Sequence, residues 1–212
     1  GDDAFEWDEG FRGNGQFWLA AQAPDAGGRC FETDGNPSDN LASSDFSQPT
    51  LFNVTTVGTS NDDANENFLI RDNGAALVRN SVLVGKSFGL EVEDVADEDN
   101  DALQRLFDGD INFQSSVWFH DTLATPDTVA TYLADAANNN TYLDAASATN
   151  PLANANTGEG AGFDPSFVGM APTLATPPSN GFFEDVNYVG ATGQTNWLDT
   201  PGGWCKLWAV TN

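Results

Sequence analysis

Short apolar segments of this chain repeat one another in residue type as well as in spacing. LFNVTTVG (51–58) aligns with VRNSVLVG (78–85), which places Asn53 on Asn80 at an offset of 27 residues. FQSSVWF (113–119) aligns with the same segment at an offset of 35 residues. A repeat of this length, built from short strands and turns, is typical of a solenoid, because each repeat buries its apolar side against the next one. The alignment predicts a parallel β-helix whose corner asparagines form a hydrogen-bonded ladder.

Runs of apolar residues bounded by Gly, Asn and Asp fill the first 120 residues, and each has the length of a short strand. A β-sandwich also has short strands at regular spacing. The β-helix is favoured because the repeat matches residue types as well as distances. FLIRDN, AALVRNSVLVG and SFGLEVED are predicted to form one nearly complete coil with three faces. The predicted strand segments are 16–22, 29–35, 50–58, 67–74, 75–85, 87–94 and 111–120.

The pattern changes after His120. Thr125, Pro126 and Asp127 predict a helix start, with Thr125 as N-cap and Pro126 as the first helical residue. A second short helix is predicted within residues 98–110.

The predicted organisation is one structural domain with three parts. Residues 1–120 form β-helix coils, and residues 121–180 form a helix and a long ordered loop packed on the solenoid. Residues 181–212, rich in Phe and Trp, form an irregular C-terminal cap that covers the last coil and blocks its open edge. The fold class is therefore all-β, with short helices and an aromatic cap.

The charge balance excludes several partners. With 7 basic and 32 acidic residues, the formal net charge is −25. Nucleic acid and anionic membranes are both disfavoured, because phosphate binding needs the Lys and Arg that this chain lacks. No apolar run approaches the length of a membrane span. An acidic exterior suits salty or calcium-containing water, so we expect an extracellular or cell-surface location.

Two cysteines, Cys30 and Cys205, lie near opposite ends of the sequence. In an oxidising compartment they can form a disulfide that closes a long loop. Two buried free thiols are the alternative.

Two acidic segments are candidate Ca²⁺ sites. In the segment 97–101, Asp and Glu alternate with one another and with Asn, but Ala102 stands where an EF-hand needs glycine, which argues against that motif. Carboxylates of this segment and of a Gly-containing turn near residue 35 can still gather oxygen ligands in another geometry, and a solvated acidic loop is the alternative. The candidate metal ligands are Glu32, Asp34, Asp39, Asp97, Asp99 and Asp101.

Catalytic signals are sparse. His120 is the only histidine, and no nucleophile elbow, phosphate loop or zinc-spaced cysteine pair accompanies it. Arg71 and Arg79 lie on adjacent segments and can meet on one face, as the basic residues of a β-helix polysaccharide lyase do, although pairing with carboxylates is the simpler interpretation. Close carboxylate pairs of the kind used in glycoside hydrolysis are expected by chance in so acidic a chain.

The tryptophans of the tail, Trp197, Trp204 and Trp208, can either stack on sugars or plug the end of the solenoid.

Five stretches resemble a family of right-handed parallel β-helix surface or secreted proteins, mostly uncharacterised, of bacteria. Members of that family usually carry further coils before the position of Gly1. The resemblance thus implies that the first coil has a face covered by missing coils, another chain or a second copy. It implies no catalytic residue. The stretches are GDDAFEWDEGFRGNGQFWLA (1–20), RCFETDGN (29–36), PTLFNVTTVG (49–58), FLIRDNGAALVRNSVLVG (68–85) and GFFEDVNYVGA…NWLDTPGGW (181–204).

The functional expectation is a non-catalytic structural or adhesive β-helix of an extracellular assembly, supported by Ca²⁺ and able to self-associate. A carbohydrate-binding or polysaccharide-lyase-like β-helix is the alternative, and a subunit of a larger complex is the second alternative. In the opening segment, alternation predicts that Phe5 and Trp7 face a core while Glu6 and Asp8 face outward.

Overall fold

The computed structural model of the chain describes residues 3–24, 27–35, 45–59, 66–95, 101–158 and 160–196. The strands, in chain order, are β1 (Phe5–Trp7), β2 (Asn14–Gln16), β3 (Leu19–Ala21), β4 (Phe31–Asp34), β5 (Thr50–Phe52), β6 (Thr55–Val57), β7 (Glu66–Arg71), β8 (Leu77–Arg79), β9 (Val82–Val84), β10 (Phe88–Val92), β11 (Asn112–Gln114), β12 (Val117–His120), β13 (Thr122–Thr125), β14 (Thr141–Asp144), β15 (Leu152–Asn154) and β16 (Asp164–Phe167).

The strands form three parallel sheets that wind around one core, which confirms the predicted parallel β-helix. Sheet A has the order β1-β4-β7-β10-β13, sheet B the order β2-β5-β8-β11, and sheet C the order β3-β6-β9-β12-β14. Each of the first four coils gives one strand to each sheet. One detail of the predicted coil is wrong: SFGLEVED contains β10, which begins the next coil and pairs with β7 in sheet A.

The register of the sheets confirms the alignment of the repeats. Leu51 and Phe113 both lie opposite Val78, on either side of β8. Thr55 and Val117 both lie opposite Val82, on either side of β9. The offsets of the sequence repeat are therefore the lengths of successive coils.

The corner between sheets B and C turns within two residues, and one residue of each coil has a left-handed backbone there. The φ angles are 61° at Phe17, 53° at Asn53, 52° at Asn80 and 54° at Ser115. Asparagine tolerates this conformation better than most residues, which explains its recurrence in the repeat.

Aromatic side chains stack along the inside of sheet A. The rings of Phe5 and Phe31 are 5.0 Å apart, and those of Phe31 and Phe68 are 4.5 Å apart. In the first coil Trp7 is buried, Phe5 is partly buried, and Glu6 and Asp8 are exposed, which confirms the alternation predicted for this segment.

Two short α-helices interrupt the solenoid, and the 3₁₀-helix Ala136–Asn138 follows the second of them. The first, α1 (Ala102–Phe107), lies within the predicted range 98–110. The second, α2 (Asp127–Leu133), has Pro126 as its N-cap, whereas Thr125 was expected to cap it and is instead the last residue of β13. No helix of the described residues has the length that a membrane crossing requires.

Helix α2 packs on β13 and β10, and its Val129 and Leu133 join the main core. In the last coil, α2 follows β13 in the chain where earlier coils have a strand of sheet B. The core at this end is thus covered by a helix, a role that the sequence pattern assigned to the C-terminal tail.

The long segment predicted as a loop contains a small antiparallel pair, β15 with β16. Residues 170–196, here called the return segment, then run back along the corner between sheets B and C. Glu184 lies at the first coil, where its main chain pairs with Gln16, and the Tyr188 carbonyl accepts from Asn53 in the second coil. The described part of the predicted cap therefore lies along the side of the solenoid rather than over the last coil, and residues 197–212 lie outside the described residues.

Side-chain amides hold the return segment through its main chain. Asn80 donates to the Ala175 carbonyl at 2.9 Å and accepts from the Ala175 amide at 2.8 Å. Gln16 makes the same pair of bonds with Glu184, both at 2.8 Å. The asparagine ladder predicted for this corner is wrong in consequence: Asn53 and Asn80 bind the return segment, and the link along the corner is from Gln16 to Asn53 at 3.1 Å.

We predict that Asn80→Gly loosens the return segment. Glycine keeps the left-handed backbone but removes both hydrogen bonds to Ala175. The loss of two hydrogen bonds should lower the free energy of unfolding by about 1–3 kcal/mol. Hydrogen exchange should become faster at the Ala175 amide. Ser115→Gly is the matched control, because Ser115 has the same φ of 54° in the next coil. Equal exchange at Ala175 in wild type and Asn80→Gly would contradict the role assigned to Asn80.

Candidate functional site

Charged side chains gather on the outer side of sheet A. In β4, Phe31 and Thr33 are buried, whereas Glu32 and Asp34 alternate with them on the other side of the strand. Parallel register places Asp34 beside Arg71 of β7. We call this group of side chains the charged face; it consists of Asp3, Arg29, Glu32, Asp34, Glu66, Arg71, Asp72, Glu91 and Glu93.

Each of two arginines of the charged face bridges two or more carboxylates. Arg29 contacts Glu32 at 2.7 Å and Glu66 at 2.9 Å. Arg71 contacts Glu32 at 2.8 Å and Asp34 at 2.7 Å. The hydrogen bond that Arg71 donates to Asp34 raises the pKa of Arg71 above its usual range. Both guanidinium groups are therefore committed to protein carboxylates.

Hydrogen bonds between carboxyls, together with burial, raise the pKa of two glutamates of the charged face. A hydrogen bond with Asp3, together with burial, raises the pKa of Glu32 to about 7, against the opposing effect of Arg71 and Arg29. Burial and a hydrogen bond with Glu66 raise the pKa of Glu91. Two carboxyl pairs of this face, Asp3 with Glu32 and Glu66 with Glu91, are thus joined by hydrogen bonds.

We predict that Glu32 makes stability fall with rising pH. Its folded-state pKa of about 7 exceeds the ordinary value of 4.5, so the folded protein binds the extra proton and its stabilising effect is lost between those two pH values. Glu32→Gln imitates the protonated form and should lack this part of the fall. Thermal unfolding across this pH range measures the difference, with Glu184→Gln as an exposed control. Parallel curves for wild type and Glu32→Gln would contradict the raised pKa of Glu32.

The predicted metal ligands have other partners wherever the structure describes them. Glu32 and Asp34 pair with arginines, as above. Asp101 is the N-cap of α1, and its two oxygens accept from the Gln104 and Val95 amides, both at 2.8 Å. Within the described ranges, no group of three or more His, Cys, Asp or Glu side chains is arranged to hold a metal ion. Asp39, Asp97 and Asp99 lie outside the described residues.

The expected meeting of Arg71 and Arg79 does not occur, because their strands belong to different sheets. Arg71 is on β7 of sheet A, whereas Arg79 is on β8 of sheet B and donates to the main-chain carbonyls of Val78 and Asn112. Lys86 follows β9 of sheet C and is almost fully buried against Gly58.

Two further arginines are held by an aromatic ring. Arg12 and Arg105 lie over Phe46, with 4.6 Å and 4.0 Å between each guanidinium carbon and the ring centroid. Arg105 also pairs with Asp110 at 3.3 Å. Every Lys and Arg of the described ranges therefore has a partner within the protein.

His120 is a core residue. Its side chain is 0% exposed on β12, and burial lowers its pKa to about 4, so the imidazole is neutral near neutral pH. It cannot reach a substrate on the surface.

Cys30 is a free, fully buried thiol, and burial raises its pKa to about 12. Cys205 lies outside the described residues. The structure therefore gives no support to the predicted disulfide.

The sequence did not predict two residues that contact the charged side chains described above. Asp3 was not among the candidate site residues, yet it makes the hydrogen bond that raises the pKa of Glu32. Phe46, the ring between two arginines, lies in a stretch with no strand pattern. The charge alternation of Glu32 and Asp34 beside an arginine 37 residues later was the available signal for the charged face.

The three parallel sheets and the charged outer face define a solenoid of the β-helix class. The family model described as "Pectate-lyase like beta helix domain" matches residues 1–165, and the chain belongs to that family. A search of curated proteins and a search of solved structures each found no match to this chain.

Proposed function

We propose that this chain is a non-catalytic structural β-helix of an extracellular or cell-surface assembly. The observation that carries the proposal is that the Lys and Arg side chains of the described ranges have partners within the protein. A lyase of this fold needs an unpaired base or guanidinium beside its substrate, whereas Arg29 and Arg71 of the charged face are each bound by two carboxylates. The buried His120 is equally withdrawn from the surface.

The first coil supplies the contact of the proposed assembly. Its strands β1, β2 and β3 are each the terminal strand of a sheet in the described residues, so one side of each has no neighbouring strand. Aromatic residues line a cavity of about 310 Å³ there, among them Phe5, Trp7, Phe11 and Trp18. A protein partner, either further β-helix coils or a second copy of the chain, fits this combination of strand edge and aromatic surface.

We predict that Phe11→Glu disrupts the assembly. Phe11 is 39% exposed and lines the aromatic cavity, so a carboxylate there should oppose apolar contact with a partner. Sedimentation velocity of the purified chain should show an associated species that the variant loses. Phe107→Glu is the matched control, since Phe107 is 61% exposed at the distant helix α1. A wild-type chain that stays monomeric at high concentration would contradict self-association.

Calcium support is a further part of the proposal. Its remaining candidate ligands are Asp39, Asp97 and Asp99, whose carboxylates suit a hard cation. Chelation by EDTA should lower the melting temperature, and added Ca²⁺ should restore it. An unchanged melting temperature would remove calcium from the proposal and leave the assembly contact standing.

A carbohydrate-active role is the second candidate, and one observation favours it. Glu32, on the outer side of sheet A, has a pKa of about 7, and a glycosidase needs a carboxyl with a raised pKa as its general acid. The family is also named after a polysaccharide lyase.

If this second candidate is correct, the chain should cleave a polysaccharide and Glu32→Gln should abolish cleavage without loss of folding. The measurement is release of reducing ends and of unsaturated products from polygalacturonate and from neutral glycans, with and without Ca²⁺. Glu184→Gln serves as the exposed control. Our proposal expects no cleavage by wild type, and cleavage that depends on Glu32 would overturn it.

A further inference from the structure

A cleft with an uncharged lining lies between β16 and the return segment. Its volume is about 500 Å³, within the range of about 300–1,000 Å³ usual for small-molecule sites. One wall is the chain from Phe167 to Ala171, and the other runs from Asn187 to Thr195. This cleft is separate from the charged face of sheet A.

Hydrogen bonds fix both walls. The Phe167 amide donates to the Gly193 carbonyl at 2.6 Å, and the Thr192 hydroxyl donates to the Pro165 carbonyl at 3.0 Å. The second wall is also tied to the solenoid, because the Gly190 amide donates to the Asn80 carbonyl at 2.8 Å. The cleft is therefore preformed, which lowers the entropic cost of binding a ligand.

The described lining carries hydrogen-bonding groups but no formal charge at neutral pH. Asn187, Tyr188, Gln194 and Thr195 present amides and hydroxyls, and Tyr188 is the ionisable member, with a pKa that burial raises. No hydrogen bond from the Asn187 or Gln194 side chain to another described residue is present. These groups are therefore available to a ligand.

Electrostatics select the class of ligand. A cation finds no carboxylate in the described lining, and an anion finds no Lys, Arg or His there and also meets the −25 net charge of the chain. The polar side chains are joined in the lining by apolar surface of Phe167, Ala171 and Val189. A neutral saccharide combines hydroxyl groups with apolar C–H faces and matches this mixture, whereas a purely apolar molecule leaves the amides unpaired.

We propose that this cleft binds a neutral saccharide, through the side chains of Asn187 and Gln194. The site differs from an acidic-polysaccharide groove both in its place on the fold and in the charge of its ligand. It does not rest on the structural role proposed above, since a non-catalytic solenoid and a catalytic one can both carry it.

Isothermal titration of the full chain with cellohexaose, mannohexaose and maltohexaose tests the proposal. At least one of these neutral probes should bind, and trigalacturonate should not. The double variant Asn187→Ala/Gln194→Ala should weaken binding by about tenfold or more, as expected for two lost hydrogen bonds. The matched control is Thr173→Ala/Thr176→Ala, which changes two exposed polar residues of the return segment outside the cleft lining and should bind like wild type.

Three results would overturn the inference: no binding of any neutral probe, equal binding of trigalacturonate, or full affinity in the cleft variant. Binding of a neutral Gly-Ser hexapeptide in place of all three saccharides would also overturn it and would identify the cleft as a peptide site. Melting temperatures of both variants should equal that of wild type, which separates a loss of ligand contacts from a loss of folding.

Discussion

The parallel register between successive coils is the constraint on which the rest of this structure depends. Because each coil stacks in register on the one before, equivalent residues of the repeat become direct neighbours. Apolar residues then reinforce one another, as the stacked rings of Phe31 and Phe68 do. Charged residues face the opposite situation, because a carboxylate at one repeat position is placed beside the carboxylate of the next coil, as Glu6 is beside Glu32.

The charged face is the local solution to that problem. Arginines between the columns neutralise part of the charge, and hydrogen bonds between carboxyls raise the pKa of Glu32 and of Glu91. Asp101 is likewise occupied, because both of its carboxylate oxygens accept hydrogen bonds from main-chain amides around α1. High acidity in the sequence therefore does not by itself make a cation site, since arginines, helix caps and protons compete with a metal ion for the same oxygens.

Sequence reasoning succeeded where the information was periodic. The alignment of residues 51–58 with 78–85 predicted the register of sheets B and C, because in a solenoid sequence equivalence is spatial equivalence. It failed for contacts that occur in a single place and are not repeated from coil to coil. Nothing periodic relates Asn80 to Ala175 or Gln16 to Glu184, which are 95 and 168 residues apart, so residues 181–212 were expected to cap the last coil. Adjacency in the chain also misled the pairing of Arg71 with Arg79, since consecutive strands of a β-helix belong to different sheets.

The difference between periodic contacts and contacts made once also separates the scaffold from the surfaces that can bind a ligand. The repeat determines the core and the columns of charge, and it leaves little freedom there, because a change in one coil is felt by its neighbours. The return segment obeys no repeat, and Gln16, Asn53 and Asn80 bind it through its main chain. Its exposed side chains can therefore vary without loss of these bonds, whereas Val189 is buried in the core. A binding surface built from that segment, such as the uncharged cleft beside β16, can acquire its specificity while the solenoid beneath it stays unchanged.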